Sequence, residues 1–304
     1  MGMRRWAAAL CIALALAACG AQAETIEAFG LQIDTQDTVL DLGKVKVEDF
    51  DLLREVMRAM PNLTRVDMYN TRMEKDVMAS LTQEFPDVRF GWTLRAGPYR
   101  IRTDEDAFST LRSPDEKPRY GSRTYEVLRY CPDMMALDLG HNKITDVSFL
   151  TGMPHLRYLI LADNDVSDLT PLESLQELEY LELFMNEDMD LTPLTKLPNL
   201  TDLNLCQMTI SDISPLYDMP QLKRLWISRH KPAFTEEEMQ ALREALPDCE
   251  INFTSASCTG EGWRHHPRYY PVRDTFRRGE FIPWSEEQRS YQGVYPYEDA
   301  PGAN

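Results

Sequence analysis

Leucine recurs every 22 residues through the middle of this 304-residue chain, and that period constrains the fold more than any other feature. The series is Leu137, Leu159, Leu181, Leu203 and Leu225, followed two positions later by Leu139, Leu161, Leu183, Leu205 and Ile227. Polar residues keep the same period: Asn142, Asn164 and Asn186, then Asp146, Asp168, Asp190 and Asp212. A period of roughly 20–50 residues indicates a solenoid of stacked, similar units.

The Leu-x-Leu pairs predict one short strand per repeat, because alternate side chains of a strand lie on one face. A single repeat cannot bury that face alone, so the strands must stack in parallel on their neighbours. We expect the asparagine side chains to turn inward and bond backbone groups, each bond contributing about 1 kcal/mol. Met208 takes the asparagine position of the fourth copy, so the hydrogen bonding should be weaker there.

The repeat resembles the internalin-like, 22-residue leucine-rich repeats of exported bacterial surface proteins over about residues 134–228. Residues 44–92 and 229–253 change from helical to extended apolar spacing, which predicts longer repeats of the same fold. Thr235, followed by glutamates, predicts a helix start. The expected fold is therefore α/β: a curved leucine-rich repeat solenoid with a parallel β-sheet on its concave face and helix-containing repeats at both flanks.

The N-terminus has the pattern of an export signal. Arg4 and Arg5 precede an apolar run over residues 6–18, which is too short to span a bilayer. Two cleavage sites compete. One is a lipobox that ends at Cys19, which resembles a bacterial lipoprotein and would anchor the chain to the outer face of the cell membrane. The other follows residues 21–23 and would leave a secreted protein.

The chain divides into four predicted regions. Residues 1–23 are the signal peptide, with cleavage before Cys19 as the alternative. Residues 24–121 hold an N-terminal cap, strand–helix repeats and a loop-rich insertion with a hairpin over 88–103. Residues 122–253 form the repeat core. Residues 254–304 form an aromatic, arginine-rich tail, and we expect its 263–284 part to fold back onto the acidic coil.

Composition and motifs argue against several functions. With 49 acidic and 32 basic residues, the net charge of −17 disfavours nucleic-acid binding, which needs clustered Lys and Arg. The sequence has no GxSxG, HExxH or P-loop motif. His265 and His266 have no third ligand at a suitable spacing. We therefore predict no enzyme activity, no cofactor and no metal site, and we expect a monomer that touches the membrane only through a lipid anchor.

Four cysteines follow the signal region, and an exported protein permits disulfides. Cys249 and Cys258 are close enough in sequence to pair, with two free thiols as the alternative. Cys131 takes a core position of its repeat. Cys206 falls at the edge of the concave sheet, where exposure is expected.

The concave face is the predicted binding site for a protein or peptide. Residues beside the inward leucines point out of the sheet, where aromatic side chains are not needed for the core and are favoured binding anchors. The candidate ligand-binding residues are Tyr69, Asp138, Tyr158, Ile160, Tyr180, Glu182, Phe184, Asp202 and Trp226. Two alternatives stay open: the tail covers this face, or the aromatic tail itself binds a cell wall or glycan.

Overall fold

The computed structural model describes residues 25–110, 118–231, 233–260 and 262–290. The repeats form a parallel sheet of seven three-residue strands in chain order, in which Leu159, Leu181 and Leu203 stand opposite one another. The strands are β7 (Ala107–Ser109), β8 (Ala136–Asp138), β9 (Tyr158–Ile160), β10 (Tyr180–Glu182), β11 (Asp202–Asn204), β12 (Arg224–Trp226) and β13 (Glu250–Asn252). The predicted leucine-rich repeat solenoid is confirmed.

Short 3-10 turns return the chain on the convex side of the coil. They span Ser148–Gly152, Thr170–Ser174, Thr192–Lys196 and Ser214–Asp218. The periodic aspartates start these turns: Asp168 Oδ1 accepts a hydrogen bond from the Thr170 amide at 2.9 Å, and the other three aspartates act alike. The repeated leucines pack between the strands and these turns in one continuous core.

The asparagines form the expected hydrogen-bonded series. Asn164 Oδ1 accepts from the Ile144 amide at 3.0 Å, and its Nδ2 donates to the carbonyls of Leu139 and Leu161. In the fifth copy His230 takes the asparagine position, and its Nε2 accepts from the Ile210 amide at 2.8 Å. Sequence reasoning missed this substitution, although the 22-residue spacing of the histidine from Met208 marks it.

The N-terminal flank forms a separate sheet of four strands in the order β3-β4-β5-β6. A hairpin of β1 (Thr25–Ala28) and β2 (Leu31–Asp34) precedes it. The sheet contains β3 (Val39–Asp41), β4 (Arg65–Arg72), β5 (Arg89–Ala96) and β6 (Tyr99–Arg102), with helices α1 (Phe50–Arg58) and α2 (Lys75–Glu84) between its first strands. Antiparallel β6 occupies the free edge of β5, so this sheet does not continue into β7.

These elements confirm the predicted hairpin within 88–103 and the strand–helix repeats of both flanks. A short helix, α3 (Ser122–Tyr125), follows the insertion. At the C-terminal flank, α4 (Glu236–Ala245) begins with a capping box between Thr235 and Glu238. The parallel sheet already starts at β7, before the boundary predicted at residue 122. Within the described residues, no helix is both long and apolar enough to cross a bilayer.

The C-terminal tail packs across the concave face. It contains α5 (Tyr269–Arg278) and α6 (Glu286–Ser290), and α5 lies against β7 and β8. Its aromatic residues join outward-facing residues of the sheet in a second apolar cluster, distinct from the core inside the coil. The prediction that 263–284 folds back onto the coil is confirmed.

Candidate functional site

The strand register brings eight of the nine predicted site residues onto one surface. Tyr158 stands opposite Tyr180, and Tyr180 opposite Asp202, while Glu182 lies between Ile160 and Asn204 on the neighbouring strands. Tyr69 does not join them, because β4 belongs to the separate four-stranded sheet. There its hydroxyl accepts from Arg65 Nη2 at 3.2 Å, and the guanidinium of Arg102 lies 3.8 Å from its ring centre.

The expectation of an open concave face is corrected by the structure. Its predicted site residues are buried, from complete burial at Tyr180 to 4% exposure at Phe184. The tail lies over them, which is the alternative that the sequence left open. We call this the covered face, defined by Asp138, Tyr158, Ile160, Tyr180, Glu182, Phe184, Asp202 and Trp226.

Aromatic rings of the sheet and the tail alternate along the covered face. Trp263 of the tail lies between Trp226 and Tyr180, with ring centres 5.5 Å from each. Further along the face, the ring centre of Tyr158 lies 5.5 Å from that of Trp284 and 5.0 Å from that of Phe281. Contacts of this kind add about 0.5–1.5 kcal/mol per pair beyond the burial of the rings. The two sets of rings therefore fit together as one packed layer.

The part of the tail that crosses the covered face begins at Gly262, a glycine that no other residue can replace easily. Gly262 has a φ of 112°, a conformation that side chains disfavour. A Cβ atom there would lie 3.3 Å from the edge of the Trp226 ring. This close approach brings the next residue, Trp263, into its place between the sheet aromatics.

Glu182 is completely buried and receives donors from both the sheet and the tail. Its Oε1 accepts from Trp263 Nε1 at 2.8 Å and from Arg264 Nε at 3.1 Å, and Arg264 also forms an ion pair with it. The Tyr180 hydroxyl donates to the same carboxylate. Burial raises the pKa of Tyr180 well above its ordinary value, so this hydroxyl keeps its proton and remains a donor.

Asp202 forms the second polar centre, again at complete burial. Arg268 Nε lies 3.0 Å from both of its carboxylate oxygens, and Arg224 Nη1 lies 3.3 Å from Oδ1. Burial alone would raise the pKa of Asp202, but the charges and hydrogen bonds of Arg268 and then Arg224 outweigh it, so the pKa lies below its ordinary value. A carboxylate charge is thus kept in the interior by two arginines.

Arg268 also contacts other residues of the tail. Its Nη1 donates to the carbonyls of Gln288 and Arg289, and its guanidinium lies 4.1 Å from the centre of the Trp284 ring. Trp284 Nε1 donates back to the Arg268 carbonyl at 2.5 Å. Only 1% of this arginine is exposed. Its contacts connect helix α6, the loop between α5 and α6, and the sheet.

Asp138 differs from Asp202 because, among the described residues, no arginine forms a hydrogen bond with its carboxylate. Ser109 Oγ donates to Oδ2, and the Gly140 amide donates to Oδ1, both at 3.0 Å. Burial is the largest effect on this group and raises its pKa. The acidic residues of the covered face are therefore not equivalent: within the described part of the tail, the arginines bond directly to Glu182 and Asp202.

The cysteine predictions are corrected in two places. The Cys249–Cys258 pair is not formed, since both thiols are free and they pack in different clusters, Cys249 against the solenoid core and Cys258 in the cluster at the covered face. Cys206 is buried rather than exposed, because the same tail covers it. Cys131 is a core residue as expected, and burial raises its pKa to about 12.

Sequence reasoning did not identify the tail residues that complete the site. Trp263, Arg264, Arg268 and Trp284 supply the partners of the sheet residues, but no period connects them to the repeats. The available signal was the density of arginine and aromatic residues after position 262 in an acidic protein. Among the described residues, no group of three or more His, Cys, Asp or Glu side chains converges as a metal site would require.

Comparison with known proteins agrees with the repeat assignment. A family model for leucine-rich repeats, in two copies, matches residues 136–171. No curated protein is similar enough to match. Solved structures that resemble this one include internalin C2 of Listeria monocytogenes, 24% identical over 66% of this chain and 75% of that chain, with a TM-score of 0.39.

Two further structures are similar at lower identity. Internalin F of Listeria monocytogenes is 15% identical over 79% of this chain and 75% of its own, with a TM-score of 0.34. A Leptospira interrogans leucine-rich repeat protein is 16% identical over 66% of this chain and 51% of its own, with a TM-score of 0.36. Together, the matched repeats and the seven parallel strands make the fold a leucine-rich repeat solenoid.

Proposed function

We propose that this chain is an exported, non-catalytic binding module whose covered face recognises a protein segment rich in arginine and aromatic residues. Leucine-rich repeat proteins commonly serve as protein-binding modules. One observation carries the proposal: Glu182 and Asp202 hold Arg264 and Arg268 of a distant segment, while the sheet aromatics enclose Trp263. The tail is thus a bound example of the ligand chemistry that this face accepts.

A partner for this face must compete with the tail. A ligand on a short flexible tether acts at an effective concentration of roughly millimolar. The apparent affinity for an outside segment equals its affinity for the open protein multiplied by the fraction of molecules in which the tail is released. The module therefore binds only a partner that makes more contacts than the tail, or one that meets the protein while the tail is open.

Among the described residues, the two tail tryptophans do not support the glycan alternative. It requires exposed rings on which sugars can stack, but Trp263 is fully buried and Trp284 is 4% exposed. Tyr291, Tyr295 and Tyr297 lie outside the described residues. We therefore retain the protein-segment proposal alone.

A labelled synthetic peptide of residues 262–290 tests this function against two full-length proteins. Arg268→Ala should loosen the tail, so this variant should bind the peptide at least tenfold more tightly than the wild-type protein. The matched control peptide carries Arg264→Ala and Arg268→Ala, and it should bind the same variant at least tenfold more weakly. Equal binding of the two peptides would mean that the face does not recognise this chemistry.

The cellular location of the protein is part of the same proposal. Cys19 lies outside the described residues, as does the rest of the signal region. The lipobox supports a lipid anchor on the outer face of the cell membrane, with soluble secretion as the alternative. Cys19→Ala should move the protein from the membrane fraction to the medium. If wild type and variant fractionate alike and the mature chain begins at residue 24, the anchor proposal is wrong.

A further inference from the structure

Cys206 and Cys258 meet where the tail leaves the last repeat. Asn204 Nδ2 donates to the Cys258 carbonyl at 2.8 Å, and its Oδ1 accepts from the Cys206 amide at 3.0 Å. The Cys258 thiol also lies 3.7 Å from Oε1 of Gln207, the residue that follows Cys206. The same asparagine thus holds both cysteine backbones, and both side chains belong to the same buried cluster at the covered face.

The surroundings of Cys206 favour a reactive thiolate. The hydrogen bond from Cys258 is the largest effect and, with Ser228 and Arg229, outweighs burial to lower the pKa of Cys206 to about 7. The pKa of Cys258 is raised, mainly because its proton is held by that same hydrogen bond. Burial raises the pKa of Cys131 and of Cys249 to about 12. The thiolate is the reactive form of cysteine, so Cys206 is the most activated of the four thiols that the structure describes.

We infer that Cys206 and Cys258 are a disulfide-forming pair that fastens the start of the tail, at Cys258, to the concave sheet. The oxidant is a disulfide, either of low molecular weight or carried by a thiol–disulfide exchange protein. The Cys206 thiolate attacks one sulfur of the oxidant, forms a mixed disulfide and releases the first thiolate. Cys258 then loses its proton and attacks the Cys206 sulfur, which releases the second thiolate. Two thiols of this protein and one disulfide of the oxidant become one disulfide of this protein and two thiols of the reduced oxidant.

The bond acts on the tail because of its position in the chain. Cys258 precedes Gly262 and Trp263, which begin the path across the covered face. A covalent link to Cys206 would hold the start of the tail over β11 and keep the later tail residues near their partners on the covered face. Because both thiols are nearly or fully buried under the docked tail, the oxidant reaches them when the segment opens or before it first docks. The inference requires only the docked tail and does not depend on an outside partner.

Peptide mapping of the full-length protein tests the pair directly. The protein is incubated with oxidised glutathione, its remaining thiols are alkylated under denaturing conditions, and the digest is analysed without reduction. We expect a peptide that links Cys206 to Cys258, with Cys131 and Cys249 alkylated. Alkylation of both Cys206 and Cys258, or a link between Cys249 and Cys258, would overturn the inference.

Chymotrypsin cleavage within residues 263–290 tests the effect on the tail. The oxidised wild-type protein should be cut at least fivefold more slowly than the same protein after reduction. Cys258→Ser should be cut at the reduced rate under both conditions, whereas the matched variant Cys249→Ser should behave like wild type. The reduced wild-type protein needs no substitution, so it separates the effect of the bond from any loss of folding. Equal cleavage of the oxidised and reduced wild-type proteins would contradict the fastening role.

Discussion

Asn164 shows how much a single repeated residue contributes. It lies within reach of the carbonyls of Leu139, Leu161 and Ala162 and accepts from one amide, at 4% exposure. Asn164→Ala leaves these buried groups without partners, which should lower the free energy of unfolding by about 2–4 kcal/mol.

The matched control for this substitution is Asn199→Ala. Asn199 is exposed and forms one bond, to the Gln176 carbonyl at 2.7 Å. Its loss should cost less than about 1 kcal/mol, because water can replace the bond. Urea unfolding measures both variants. Equal losses would mean that the buried series of asparagine bonds does not stabilise the coil more than an exposed bond does.

Asp202 makes tail docking sensitive to pH. Its pKa is lowered in the docked state, so docking favours the ionised form. The ordinary pKa of an exposed aspartate is about 3.9. The stabilisation is therefore complete above that value and is lost as the pH falls through the lower pKa of the docked state.

We expect the tail to lose its protection from hydrogen exchange below about pH 4. Exchange into peptides from residues 262–290 measures this loss. In Asp202→Asn the side chain cannot ionise, so protection should be lower at neutral pH and should change less between pH 5 and pH 3. The difference between the two profiles isolates Asp202 from other titrating carboxylates. Parallel profiles would exclude Asp202 as the cause.

At the scale of elements, Arg268 should decide whether α5 and α6 stay docked. Removing one partner of a buried ion pair costs about 3–5 kcal/mol when the other stays buried. Release of the tail limits that cost, because Asp202 then becomes hydrated. Arg268→Ala should therefore release the tail and leave the repeats folded.

Chymotrypsin measures this release at sites after Tyr269, Phe276 and Trp284. Cleavage should be at least tenfold faster in Arg268→Ala than in wild type, both kept reduced. Arg277→Ala is the matched control, because Arg277 lies on the exposed side of the same helix. If both variants are cut at the wild-type rate, the buried ion pair does not hold the tail in place.

The elements also differ in how far the sequence predicts them. Strands, 3-10 turns and the asparagine bonds repeat every 22 residues, so one copy explains the next. The tail has no period, and its contacts join residues far apart in the chain, such as Phe281 and Asp106. Charge and composition could predict that it docks onto an acidic coil. They could not show that Arg268 reaches Asp202, or that Arg264 reaches Glu182, because those pairs depend on the exact path after Gly262.

The same distinction changes how substitutions of the predicted site should be interpreted. The sequence predicts Tyr180 and Trp226 as exposed binding anchors on the concave face. Both are buried and contact Trp263, so Tyr180→Ala and Trp226→Ala remove packing within the protein. A fall in stability from these variants would report tail docking and would carry no information on an outside partner.

For the whole molecule, two apolar clusters predict two steps of opening. The core inside the coil runs from the N-terminal flank through the last repeat, whereas the covered face and the tail form their own cluster. Stacked repeats unfold together when their interfaces are strong, and regions with fewer buried contacts open first. With the thiols reduced, tail peptides should lose protection from hydrogen exchange at lower urea concentrations than peptides from residues 136–205.

Two substitutions test whether these steps are separate. Arg268→Ala should shift only the tail transition to lower urea, because its contacts are to the tail and the covered face. Asn164→Ala should shift the repeat transition, because its partners are backbone groups inside the coil. Peptide-resolved exchange at increasing urea measures both transitions in one sample. If the tail and the repeats lose protection together in wild type, and each variant shifts both equally, the tail and the solenoid form one cooperative unit.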